Sequence, residues 1–267
     1  MKVDKVLYVS DSNLNYLSFW PSVSRFTKKH LGIDCKLFFI GEPDEQTKKF
    51  LVGDVQVVRP IPDVPIIIQA LWAKFWFTQT EPDTNWLIGD IDMYIFDKTK
   101  MLASLDQIPE DGYGHVHMGI HDGKPYFPGY HHAASGRKFK EYLELTDDFE
   151  SECRFIQTSK KYGIFGKTCP PRIKDKKDYE YICCEEQLTT ERLSKRFSEL
   201  TIIYPENHIR FETPWAYHGE NTPVDYDMVR QFKNRPKEEW SDFHCPRPYT
   251  QWSNQIEEIL SSWVPTA

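Results

Sequence analysis

The chain has 267 residues, of which 40% are hydrophobic and 15% are aromatic. A disordered chain carries less apolar surface than this, so the composition predicts a folded protein with a sizeable core. The formal net charge is −7. This charge disfavours a protein that binds the phosphate backbone of nucleic acids, because such proteins cluster Lys and Arg on one face.

The sequence also bears on membranes and on redox state. Its longest apolar stretch, 64–77, contains Gln69 and Lys74 and is shorter than the roughly 18 apolar residues that cross a bilayer, so we expect no transmembrane segment. The N-terminus runs directly into a strand pattern and lacks the features of a signal peptide, which predicts a cytoplasmic protein. The six cysteines show no C-x-x-C spacing and are expected to be reduced thiols.

The first third of the chain alternates apolar strand patterns with helical ones. In chain order, the predicted elements are strand 5–9, helix 16–31, strand 35–40, strand 55–58, helix 66–78 and strand 85–89. Strands joined through helices pair in parallel with right-handed crossovers. This part therefore predicts an α/β unit of the kind that binds nucleotides.

The pattern becomes less regular after residue 97. Short apolar segments surround Val116 and Tyr126, and the predicted helices of this part are 136–145, 185–200 and 251–263. The polar residues from 225 onward are rich in Pro and Trp. We therefore predict one domain over 1–224, with 225–267 as a tail that packs on it.

Two acids, Asp90 and Asp92, follow the predicted strand 85–89 and are separated by Ile91. On an extended segment, alternate side chains share a face, so both carboxylates would point to one side while Ile91 packs inward. Hard divalent cations prefer oxygen ligands, and two carboxylates leave room for a diphosphate. The pattern predicts a metal site. The alternative is a turn with two solvated aspartates, because short D-x-D matches are common.

The order of elements and the Asp90-Ile91-Asp92 motif resemble those of the metal-dependent glycosyltransferases of the GT-A fold, over about residues 3–220. The resemblance implies a single α/β domain whose mixed, mainly parallel central sheet is flanked by helices. Residues 1–97 would bind a nucleotide-sugar donor, a UDP- or GDP-sugar, and 98–224 a glycan or other hydroxyl acceptor. It also implies Mn²⁺ or Mg²⁺ as cofactor. The segment 86–96 looks most like retaining blood-group-type transferases, and the stereochemistry stays open.

Four residues are expected to contact the donor. Ser10 and Asp11 end the first strand, where ligands meet the carboxyl ends of parallel strands, Arg59 follows the third strand, and Lys74 is a lone cation in an apolar helix. Two alternatives are open. Asp11 or the neighbouring Ser12 could cap a helix, and Lys74 could lay its stem on apolar surface with its head in water.

A second pair of acids, Glu185 and Glu186, follows an apolar run at 181–184 and begins a predicted helix. Helix starts favour carboxylates, so stabilisation of the first turn is one explanation. The resemblance implies another, in which the pair faces the acceptor and the sugar. One carboxylate would then act as general base in an inverting enzyme or stabilise an oxocarbenium ion in a retaining one. The sequence does not separate the two residues.

Late histidines supply the remaining candidate for the metal. His218 in the segment 213–219 best matches the position at which several GT-A transferases complete the metal shell or bind the diphosphate, and His208 is the runner-up. Imidazole is a usual ligand of Mn²⁺. A solvated surface histidine is the alternative.

Several tyrosines and histidines lie in the sequence between the Asp90–Asp92 and Glu185–Glu186 pairs. Tyr130, His131 and His132, with Tyr126 nearby, predict an acceptor-binding wall, since rings with polar tips suit the faces and hydroxyls of a sugar. The histidines at 115, 117 and 121 could imitate a zinc site, but no Cys or acid lies at a spacing that completes it.

Two other functions compete with sugar transfer. A sugar-phosphate nucleotidyltransferase uses a related fold and metal, but the segment 10–15 lacks the Gly-rich, basic loop that such enzymes place after the first strand. A carbohydrate-binding module without turnover would bind nucleotide sugar with no metal requirement.

Overall fold

The computed structural model describes residues 1–121, 124–159, 184–204, 209–212 and 226–263. Within these ranges the strands are β1 (Lys5–Asp11), β2 (Asp34–Ile40), β3 (Val55–Val58), β4 (Asn85–Ile88), β5 (Met93–Ile95), β6 (Tyr113–Val116), β7 (Gly119–His121), β8 (Lys124–Tyr126), β9 (His132–Ser135), β10 (Thr201–Ile203), β11 (Ile209–Glu212) and β12 (Trp240–His244). The helices are α1 (Leu14–Leu17), α2 (Trp20–Leu31), α3 (Ile66–Trp76), α4 (Lys98–Asp106), α5 (Gly136–Tyr142), α6 (Phe149–Thr158), α7 (Cys184–Ser194), α8 (Met228–Phe232) and α9 (Tyr249–Ser261).

Among the described residues, seven strands form one central sheet in the order β10-β6-β9-β4-β1-β2-β3. The pairs β1–β2, β1–β4, β2–β3 and β6–β10 are parallel. Strand β9 runs antiparallel to both β4 and β6. The predicted fold class, an α/β domain with a mixed and mainly parallel central sheet flanked by helices, is confirmed.

The alternation of side chains along the central strands divides the core in two. On β1, Tyr8 joins the apolar cluster that contains residues of α2 and α9, whereas its neighbour Leu7 joins the cluster of α3, α5, α6 and α7. Phe39 and Phe38 of β2 divide in the same way. Strands covered on both faces are apolar throughout, which explains why these runs read as buried strands in the sequence.

The described part of the tail is built into this body. Strand β12 pairs antiparallel with β5 and parallel with β11 in a second, three-stranded sheet. Trp252 and Ile256 of α9 are buried in the same cluster as Tyr8. The pairing of β12 with β5 matters for the site, because β5 directly follows the Asp90–Asp92 segment. The predicted boundary at 225 stays a prediction.

Helix ends account for most differences from the predicted elements. The helix expected over 16–31 is split into α1 and α2, and Pro21 sits in the first turn of α2, where its missing N–H costs nothing. The helix expected over 185–200 ends at Ser194, and a 3₁₀ turn follows at Phe197–Glu199. Similarly, α3 ends at Trp76, two residues early.

Two further expectations concern cysteines and membranes. The described cysteines at 35, 153, 184 and 245 are buried, and no disulfide joins any two of them, while Cys169 and Cys183 lie outside the described residues. In the described ranges, no helix combines the length and the apolar character that crossing a bilayer requires.

Candidate active site

The candidate site begins at the turn that follows β4. The Gly89 N–H donates to the Leu7 carbonyl over 3.0 Å, and the Met93 N–H donates to the Asp90 carbonyl over 3.1 Å. A Cβ atom on Gly89 would lie 2.6 Å from Tyr8 Cε1, so only glycine fits there. The acids therefore stand in a turn and not on the extended segment that the sequence predicted. Ile91 packs inward, as predicted.

Asp90 forms an ion pair with Lys74 of α3. Lys74 Nζ lies 3.1 Å from Asp90 Oδ1 and 3.3 Å from Glu185 Oε1. The Lys74 side chain is only 7% exposed, so the alternative in which its head stays in water is wrong. Burial lowers the pKa of Lys74, but Asp90, Glu185 and Glu186 together raise it more, and the net shift is upward. The ammonium is therefore charged at neutral pH.

Gly129 permits this close approach of Lys74 and Glu185. A Cβ atom at Gly129 would lie 2.5 Å from Lys74 Nζ and 3.0 Å from Glu185 Oε1. Real Cβ atoms essentially never approach another heavy atom as closely as 2.5 Å, so a side chain at Gly129 would displace the Lys74 ammonium. The loop between β8 and β9 thus closes over the ion pairs through a residue without a side chain.

The two acids at the start of α7 have different partners. Glu186 accepts hydrogen bonds at both oxygens, from the Tyr126 hydroxyl at Oε2 and from the Gly129 N–H at Oε1. Glu185 uses Oε1 for Lys74, whereas its Oε2 is buried and has no hydrogen-bond partner among the described residues. Burial raises the pKa of Glu186 to about 7. Burial also raises the pKa of Glu185, against the opposing effect of Lys74.

Asp92 is buried beside two residues of the tail. Its Oδ2 lies 3.5 Å from His244 Nε2 and 3.6 Å from Arg247 Nε. The Cys245 N–H donates to the Asp92 carbonyl over 2.9 Å, and His244 lies opposite Met93 in the β12–β5 pair. The main chain thus fixes the position of His244 next to Asp92.

Arg247, beside Asp92, has a buried N–H group that donates no hydrogen bond to the described residues. Its guanidinium lies 4.7 Å from the Tyr16 ring centroid, and Nη1 donates to the Tyr16 hydroxyl. Its Nε is buried and has no hydrogen-bond partner among the described residues. Burial lowers the pKa of Arg247 to about 10, so the side chain is still cationic at neutral pH. A buried cationic N–H group without a hydrogen-bond partner favours an anionic ligand that can accept from it.

Sequence reasoning missed His244 and Arg247, because it treated the tail as a wrapping segment. The available signal was slight: Trp240 and Phe243 are the apolar residues of 240–244, His244 follows them, and Arg247 stands between two prolines. Only the strand pairing with β5 shows that these side chains meet Asp92.

The expected donor residues are only partly brought together. Ser10 is buried at the end of β1, and its hydroxyl donates to the Asp11 carbonyl over 3.3 Å. Asp11 Oδ1 accepts from the Asn13 N–H over 2.7 Å, and burial raises the pKa of Asp11. Asn13, and not Asp11 or Ser12, caps α1. Arg59 is exposed after the edge strand β3, three strand positions from β4, or about 14 Å.

The expected acceptor wall is mostly interior. His132 is fully buried, with Nδ1 at 2.8 Å from the Tyr113 hydroxyl and Nε2 at 2.6 Å from the Pro128 carbonyl. Burial lowers its pKa, so the ring is neutral. His131 is also buried. Of the three residues, Tyr130 alone is partly exposed, and the Arg210 guanidinium lies 4.7 Å from its ring centroid.

The remaining expectations concern metal ligands. His218, His208 and the side chain of His121 lie outside the described residues. Within the described ranges, no group of three or more His, Cys, Asp or Glu side chains is arranged to hold a metal ion. His115 is buried, and burial lowers its pKa to about 4, so it is a neutral core residue.

No family model matches the sequence, and no curated protein sequence matches it. Among solved structures, the galactosyltransferase LgtC in complex with donor and acceptor sugar analogs is 13% identical with a TM-score of 0.46, over 98% of this chain and 97% of LgtC. A glycosyltransferase involved in glycosylation of the major capsid of PBCV-1 is 12% identical with a TM-score of 0.48, over 96% of this chain and 100% of that one. A 4-diphosphocytidyl-2C-methyl-D-erythritol synthase is 12% identical with a TM-score of 0.36, over 59% of this chain and 86% of that one.

Proposed function

We propose that this protein is a glycosyltransferase that moves a sugar from a nucleoside diphosphate sugar to a hydroxyl acceptor. One observation carries the proposal. Lys74 contacts both Asp90, from the predicted metal pair, and Glu185, from the predicted catalytic pair, although the three lie on separate elements. They meet beyond the carboxyl end of β4, where ligands of α/β sheets bind.

The residues around Asp92 fit a divalent cation. Carboxylate oxygen and imidazole nitrogen are both ligands of Mn²⁺. Asp92 Oδ2 and His244 Nε2 are 3.5 Å apart, close to the roughly 3 Å that separates neighbouring ligands of one octahedral ion. Asp90 is 31% exposed, and Lys74 contacts only one of its oxygens. When bound, the cation would act as a Lewis acid toward the departing nucleoside diphosphate.

Arg247 would bind the diphosphate. Its buried Nε lies 3.6 Å from Asp92 Oδ2 and has no hydrogen-bond partner among the described residues. A guanidinium has the planar geometry that pairs with phosphate oxygens. Its stacking on Tyr16 limits its movement, so little freedom is lost on binding. Ser10, at the end of β1, lies on the same edge of the sheet.

Glu185 is the residue that we assign to the reaction. Its buried Oε2 can accept a hydrogen bond from an acceptor hydroxyl or stabilise developing positive charge on the sugar, while Lys74 holds Oε1. Glu186 has a different part, because Tyr126 and Gly129 already occupy both of its oxygens. It anchors α7 to the loop before β9. Inverting and retaining reactions would both use Glu185.

The test is a turnover assay with UDP- and GDP-sugars in Mn²⁺. Release of nucleoside diphosphate is measured with and without a panel of sugar acceptors, and again in excess chelator. The proposal expects release that needs the metal and that an acceptor increases. Nucleotide-sugar binding without release would instead identify a binding module. Pyrophosphate release from a nucleoside triphosphate and a sugar 1-phosphate would identify a nucleotidyltransferase.

A further inference from the structure

One peptide group beside the candidate active site is hydrogen-bonded on both of its sides. It is the peptide that joins Pro128 to Gly129. The Pro128 carbonyl lies 2.6 Å from His132 Nε2 and 3.2 Å from His115 Nε2. The N–H of the same peptide, that of Gly129, donates to Glu186 Oε1 over 2.9 Å. A peptide group is planar, so the bonds that hold its carbonyl also set the direction of its N–H.

Both histidines are donors to this carbonyl. A carbonyl oxygen can only accept, so Nε2 carries a proton on each ring. The other nitrogen of the His132 ring, Nδ1, then accepts from the Tyr113 hydroxyl over 2.8 Å. Burial lowers the pKa of His132, which favours this neutral form. His115 and His132 lie directly opposite each other in the β6–β9 pair, so both donors stand on the central sheet and not on a loop.

The main chain at Gly129 lies against the groups that we assign to the reaction. A Cβ atom there would lie 3.0 Å from Glu185 Oε1 and 2.5 Å from Lys74 Nζ. Rotation of the peptide before Gly129 would displace this main chain and break the hydrogen bond to Glu186. Glycine itself restricts the backbone less than any other residue. The histidine bonds therefore supply a restraint that the glycine lacks.

We propose that His132, together with His115, is a positioning residue for sugar transfer. The two imidazoles fix the Pro128–Gly129 peptide, and this peptide holds Glu185 in the arrangement that reacts. The inference rests on the proposed function and adds a further part of the same site. Because the histidines act through the peptide, they affect the transfer step and not the binding of the nucleotide at Asp92.

The experiment compares variants of His132 that keep or remove the donor. In His132→Gln the side-chain amide can still donate to the Pro128 carbonyl, whereas in His132→Leu no donor is left. Tyr113→Phe is the matched control, because it removes the other hydrogen bond of the same ring and leaves the donor in place. Single-turnover transfer, nucleoside diphosphate affinity with Mn²⁺ and melting temperature are measured for each variant.

The proposal expects His132→Leu to transfer about 10- to 100-fold more slowly than wild type, since small displacements of a reacting group cost rates of this order. His132→Gln should recover most of the lost rate. Tyr113→Phe should transfer at close to the wild-type rate, although it melts at a lower temperature. All three should bind nucleoside diphosphate as wild type does. If His132→Leu does not fold, His115→Leu takes its place, with a smaller expected loss because its hydrogen bond is longer.

Four outcomes overturn the proposal. Transfer at the wild-type rate by a folded variant without the donor would make the histidine a core residue only. Equal losses in His132→Gln and His132→Leu, or an equal loss in Tyr113→Phe, would attribute the effect to packing and not to the donor. Weaker nucleotide binding with an unchanged transfer rate would place the effect on the donor side. No transfer by wild type would contradict the proposed function itself, and the inference with it.

Discussion

Two clusters of charged side chains lie at the end of β4, and they differ in how many of their polar atoms have partners within the protein. In the first, Lys74 is buried between Asp90 and Glu185, and each charge has a partner. In the second, Asp92 lies 3.5 Å from His244 and 3.6 Å from Arg247, and the buried Arg247 Nε, although it pairs electrostatically with Asp92, has no hydrogen-bond partner among the described residues. The first group is ordered before any ligand binds. The second has polar groups that an ionic ligand would satisfy, so we assign binding to it and positioning of the reacting acid to the first.

Among variants that distinguish the Lys74 cluster from the Asp92 cluster, Glu185→Gln is expected to have the largest effect on the transfer rate. Removing a positioned base or charge stabiliser lowers rates about 10²- to 10⁴-fold. Nucleotide affinity should stay near wild type, because Glu185 belongs to the first group. Single-turnover transfer and nucleotide titration measure the two quantities. Glu186→Gln is the comparison, with an expected loss of under about tenfold, since Gln can still accept from Gly129. Equal losses in the two variants would contradict the assignment of Glu185.

An intermediate effect is expected in the second group from Arg247→Met. Loss of a charge-assisted hydrogen bond to phosphate should weaken nucleoside diphosphate binding about 10- to 100-fold. Arg235→Met is the matched control, because Arg235 is an exposed arginine of the same tail that pairs with Glu239. Calorimetric titration measures both variants. If Arg247→Met binds like Arg235→Met, Arg247 has no part in donor binding.

The smallest effect is a pH-dependent stability difference at Glu186. Burial raises its pKa from 4.5 to about 7 in the folded state, so between these values the folded protein binds more protons than the unfolded one. Stability from this group is therefore lost as pH rises from about 4.5 to 7. Glu186→Gln should melt several degrees above wild type at pH 8, corresponding to about 3 kcal/mol, and the difference should shrink toward pH 5. Melting curves of both proteins at pH 5 and pH 8 test this.

A difference in melting temperature between Glu186→Gln and wild type that is the same at both pH values would contradict a buried, titrating Glu186. Glu150→Gln, at an exposed position of α6, is the control.

The features that could be predicted from the sequence are those that depend on residues close to one another in the chain. Strands β1 to β4 follow from apolar runs between turn residues, and Asp90 and Asp92 were found because a strand ends just before them. Contacts between distant segments carry no such local signal. His244 and Arg247 reach Asp92 only because β12 pairs with β5.

The burial of individual side chains also could not be predicted from local sequence patterns. Lys74 was expected, as a lone cation in an apolar helix, to contact the donor or to keep its head in water, yet α7 and the loop at Gly129 cover it. His132 looked like a sugar contact, yet it lies on β9, in the middle of the central sheet. In each case a second segment, distant in sequence, decides whether the side chain meets solvent.

The most direct test of the account is the thermal stabilisation of wild type and Asp92→Asn by a nucleoside diphosphate, with and without Mn²⁺. A ligand at 100 times its Kd stabilises the native state by about 2.7 kcal/mol, or roughly 5–10 °C for a protein of this size. The account predicts a shift of this size for wild type only when Mn²⁺ is present, and little shift for Asp92→Asn under either condition. A full shift in Asp92→Asn, or a wild-type shift that does not depend on Mn²⁺, would contradict it.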